Sequence, residues 1–71
     1  MTAQVQEIVT RQDVDRVYQD MVIAADLVEI AIEERMPRRV IEKRTEDMYR
    51  AVRNWERVSE MLLEQAEMAV A

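Results

Sequence analysis

Six carboxylates gather around the middle of this 71-residue sequence: Glu29, Glu33 and Glu34 before its single proline, and Glu42, Glu46 and Asp47 after it. Acids projecting from facing helices are part of the donor set of carboxylate-bridged di-metal sites, but those sites also use a Glu-x-x-His pair. The chain has no His and no Cys, so it lacks the imidazole and thiolate ligands and also the usual nucleophile and general base. It has no Gly either, which removes phosphate-cradling loops. Thr45 and Ser59 carry hydroxyls with no base to activate them. The acids read more simply as solvated helix surface, since Asp15, Gln19, Asp26, Glu29 and Glu33 share one polar stripe at ~100° per residue. The sequence therefore predicts no catalytic residue, no metal and no cofactor, and the chain is read as non-enzymatic.

The cations are less ordinary. A net charge of −5 conceals a basic centre, in which residues 35–57 hold eight basic side chains against four acidic ones, while residues 1–34 and 58–71 are acidic. On a helix, Arg39, Lys43, Arg50, Arg53 and Arg57 come within roughly 80° of one another and form a basic stripe. Arg38 and Arg39 also stand in what should be the first turn of a helix, where cations oppose the macrodipole. Arg38, Arg39, Lys43, Arg50, Arg53 and Arg57 are thus the expected contacts to an anion, either the phosphates of a nucleic acid or the acids of a partner protein. The protein partner comes first, because Glu42 and Glu46 interleave with the cations and an acidic chain repels nucleic acid at long range.

These groups are positioned by the elements around Pro37. Proline removes a backbone donor and drives Met36 away from helical geometry, which divides the chain nearly in half. Thr10-Arg11-Gln12-Asp13 has the form of a helix start, a hydroxyl cap with an acid three residues on. Helix 1 is expected at about 11–35 and helix 2 at about 37–70, with Pro37 as the first residue of the second. Residues 1–9 are either a helix extension using Val5, Ile8 and Val9, or an arm. Val14, Val17, Met21, Ala24, Val28 and Ala31 follow a heptad spacing, as do Ile41, Thr45, Met48, Val52, Trp55, Ser59, Leu62, Ala66 and Ala69. Two such seams across a short break predict an all-α antiparallel two-helix hairpin. Trp55, central in its seam, is read as a core anchor and the Met residues as gap-fillers.

A chain this short buries only about 60% of its unfolded surface, and without disulfides or a metal it must find its stability in association. Ile23, Leu27 and Ile30 form a second apolar stripe beside the helix 1 seam, and Ala51 and Val58 widen that of helix 2. A lone hairpin cannot cover them all. The expected oligomer interface comprises Ile23, Leu27, Ile30, Met48, Val52, Trp55, Val58 and Leu62, closing a four-helix bundle or a larger helical assembly. Met21–Ile32, the most apolar stretch, is interrupted by Asp26 and Glu29 and falls short of the roughly 20 residues of a membrane span. No secretory signal is evident. The chain is accordingly read as a soluble, intracellular, non-catalytic assembly or adaptor protein. Its partners would be copies of itself, with a further protein subunit possible; nucleic acid is the second choice and a membrane is not expected.

Overall fold

The computed structural model describes residues 8–70, and they open with the helix start expected at Thr10. The Asp13 N–H donates to Thr10 Oγ1 (3.3 Å), while the Thr10 N–H donates to Asp13 Oδ2 (2.8 Å), a reciprocal capping box. The Thr10 hydroxyl also donates to Asp13 Oδ2 (3.1 Å); the Thr10 backbone N–H first and this hydroxyl second, with Arg16 nearby, hold the Asp13 carboxyl below its usual 3.8. Helix α1 (Arg11–Glu33) follows, and helix α2 (Arg38–Val70) packs against it. Residues 8–10 are not helical. The choice of arm or helix for residues 1–7, Val5 included, lies outside the described residues.

Helix α1 ends two residues earlier than its pattern predicts. The Arg35 N–H donates to the Ile32 carbonyl (3.1 Å) and the Met36 N–H to that of Ala31 (2.9 Å), the double bond of a Schellman stop. Such a stop needs a residue in the left-handed region, and Arg35 takes it with φ 53°. Glycine is the usual occupant because a Cβ costs roughly 1–2 kcal/mol there, and this chain has none. Arg35→Gly is therefore expected to raise stability by about 1 kcal/mol, read as a higher midpoint in thermal circular dichroism; an unchanged or lower midpoint would count against this reading. Pro37 likewise sits one position outside its expected place. Its carbonyl accepts from Val40 (2.9 Å) and Ile41 (3.2 Å), making it the N-cap of α2 and Arg38 the first helical residue.

Three contacts across the hairpin mark its antiparallel register. At the open end the Gln65 amide grips the Val9 backbone with both ends, accepting from its N–H and donating to its carbonyl, each at 2.9 Å. Midway, the Tyr18 and Trp55 rings meet at 6.3 Å and 60°, a tilted contact worth ~0.5–1.5 kcal/mol beyond burial. Near the turn, Arg44 Nη1 donates to the Leu27 carbonyl (3.2 Å). Between these points the two seams face each other. Val14, Val17, Met21, Ala24 and Val28 are half-buried and Ala31 fully buried, against half-buried Ile41, Thr45, Met48, Val52, Trp55, Ser59 and Leu62. Ala66 and Ala69 are exposed, where the 33-residue α2 outruns the 23-residue α1.

The result is a single layer. The protein measures 52 × 29 × 14 Å with a radius of gyration of 16.6 Å, against about 11 Å for a compact domain of this length. A thickness near one helix diameter, ~10–12 Å, leaves no room for an interior. Among the described residues only Val9 and Ala31 are buried, and no large side chain is fully enclosed.

Candidate association surface

Heptad geometry gives each helix an inner edge in the seam, an outer edge opposite it, and two flanks that form the broad faces of the layer. Ile23, Leu27 and Ile30 lie on one flank of α1, exposed at 55%, 42% and 41%. Leu27 borders an open groove shared with Val40, Lys43 and Arg44 of α2. Farther along the same face, Asp20 lines a groove with Ala51 and Asn54, and Asp13, Arg16 and Val17 line another with Val58 and Met61. This face is apolar along α1 from Ile23 to Ile30, charged along α1 nearer the open end, and mixed along α2.

The expected interface set thus divides. Ile23, Leu27 and Ile30 are open, whereas Met48, Val52, Trp55 and Leu62 are half-buried within the seam of the hairpin itself, and Val58 is half-buried at the groove margin. The opposite face carries a second apolar group that the sequence reading passed over: Tyr18, Val22 and Ile32 on α1 and Tyr49 on α2, all exposed. Spacings of four and ten residues along α1 could have revealed it. It was masked because residues 21–32 are apolar almost all the way round, so no single stripe stands out.

Arg39, Lys43, Arg50, Arg53 and Arg57 line the outer edge of α2, while Arg38 stands to one side of that line and Arg44 reaches toward α1. Arg38 Nε pairs with Glu42 (2.9 Å), Lys43 Nζ with Asp47 (3.0 Å) and Arg50 Nη1 with the same Asp47 (3.9 Å). All three pairs are exposed and lie within α2, where such pairs contribute little. Arg57 donates to Asn54 Oδ1 (2.8 Å), and among the described residues Arg39 and Arg53 have no carboxylate partner. No ion pair crosses between α1 and α2 in that range, so the acids of one helix and the cations of the other are left unmatched inside the hairpin.

Among the described residues no three potential metal ligands converge, because Glu29 and Glu33 project from the outer edge of α1, away from α2. The Thr45 hydroxyl donates to the Ile41 carbonyl (2.7 Å), while the Ser59 hydroxyl is buried in the seam without a partner. No described helix is long and apolar enough to cross a membrane. Comparison with family models, curated proteins and solved structures finds no match to the chain.

Proposed function

We propose that the chain is a non-catalytic assembly protein whose work is self-association through the broad faces of its hairpin. One observation carries this reading: a layer one helix thick, with only Val9 and Ala31 buried among the described residues, leaves Ile23, Leu27 and Ile30 open on one face and Tyr18, Val22, Ile32 and Tyr49 on the other. Contiguous exposed apolar surface of this kind marks an interface. Two hairpins stacked face to face make a four-helix bundle, which covers one face of each and leaves the second free. A larger helical assembly, or a further protein subunit on that second face, covers both.

A second reading has its own support. Arg50, Arg53 and Arg57 border one groove with Asn54, and a row of cations along a helix can follow phosphates without reading bases. Light scattering coupled to size exclusion at physiological salt, with absorbance followed at 260 and 280 nm, separates the two. The expected result is a protein-like absorbance ratio and a mass that is a multiple of 8.4 kDa. A monomer at micromolar concentration would overturn self-association, and a 260-rich peak that collapses at high salt would put nucleic acid first.

A further inference from the structure

The outer edges of the hairpin complement each other in both sign and register. Along α1, Asp15, Asp26, Glu29 and Glu33 present four carboxylates, with Arg11 at the helix start the one cation on their line; along α2, Arg39, Lys43, Arg50, Arg53 and Arg57 present five cations, with Glu46 the one acid among them. All eleven are exposed. The contacts Val9–Gln65, Tyr18–Trp55 and Leu27–Arg44 fix which residues of the two helices stand at one height. By that scale Glu33 is level with Arg38 and Arg39, Glu29 with Lys43, Gln19 with Arg53 and Asp15 with Arg57. Asp26 stands level with Glu46, one helical turn from both Lys43 and Arg50.

Moving a second hairpin sideways, with no change of height or direction, brings its α1 edge against this α2 edge with nearly every acid opposite a cation and the helices antiparallel, as they are within the chain. We infer that a second copy docks there, its acidic α1 edge on the basic α2 edge, in a head-to-tail row. The inference rests on the self-association proposed above and adds a direction to it. Such a contact is heterologous and leaves a free edge at each end, so it continues into a ring or an open ribbon. Matching acids on α1 are what favour a copy of this chain over a nucleic acid, which would need only the cations.

The test uses two charge-reversed full-length chains, one with Arg39→Glu, Lys43→Glu and Arg50→Glu, the other with Asp26→Lys, Glu29→Lys and Glu33→Lys. Light scattering should show that each alone needs roughly tenfold or more protein to assemble, while an equimolar mixture recovers the wild-type mass, since the reversed edges complement each other. Should either variant lose its helical circular dichroism, the wild type decides the matter. Its rows should shorten between about 0.1 and 1 M salt, as the screening length falls from about 10 to about 3 Å. Assembly that ignores both salt and the reversals would overturn the edge contact and leave face-to-face packing standing. A monomeric wild type would overturn both, and edges found occupied by nucleic acid would overturn the edge contact.

Discussion

Leu27→Asp should collapse the assembled protein to smaller species while the hairpin keeps its helical signal. Leu27 is 42% exposed in the single chain and lies at the centre of the Ile23–Leu27–Ile30 flank, so it adds little to the hairpin and much to any surface laid against it. A carboxylate taken out of water there would cost several kcal/mol in lost hydration, and about 4 kcal/mol corresponds to roughly a thousandfold weaker association. The hairpin itself tolerates the change, because Lys43 and Arg44 border the same groove and can solvate the new charge. Light scattering reads the mass and circular dichroism the fold. Unchanged mass across a hundredfold dilution would remove this flank from the interface.

Ala31→Leu should strike the other link, the hairpin's own packing. Ala31 is 0% exposed, one of two buried residues in the described range, and its carbonyl accepts the Met36 N–H that closes the helix stop. Three additional carbons have no void to enter, so the helices must part at the turn or the stop must deform. Overpacking of this sort costs about 1–3 kcal/mol, which in a domain of this size lowers the thermal midpoint by roughly 4–8 °C per kcal/mol. Ala66→Leu, at an exposed position of the same alanine-bearing pattern, is the control and should leave the midpoint unchanged. A midpoint equally indifferent to Ala31→Leu would mean that the helices do not approach closely there.

Much of this architecture was legible beforehand because it depends on local chemistry. Thr10 with Asp13 announces a helix start through hydrogen bonds only three residues apart, and Pro37 breaks the chain through its own ring. The seams from Val14 to Ala31 and from Ile41 to Leu62 are visible because helical periodicity alone places those side chains on one face. The stop at Arg35 was not legible. Glycine is its ordinary marker, and the chain adopts the left-handed turn without one, held by the bonds to Ala31 and Ile32.

What the sequence determined by itself was the pair of helices, the break between them, the seam residues and the surplus of apolar side chains over what two helices can hide. Only the tertiary structure decided which apolar residues the hairpin consumes and which it leaves open. Met48, Val52, Trp55 and Leu62 have the same spacing credentials as an oligomer interface, yet they face α1, whereas Ile23, Leu27 and Ile30 face outward on one side and Tyr18, Val22 and Ile32 on the other. The physical reason is register. Periodicity states the face of a helix on which a residue lies, but the height at which two helices meet, and hence which acid stands level with which cation, is set by contacts such as Val9 with Gln65, 56 residues apart along the chain.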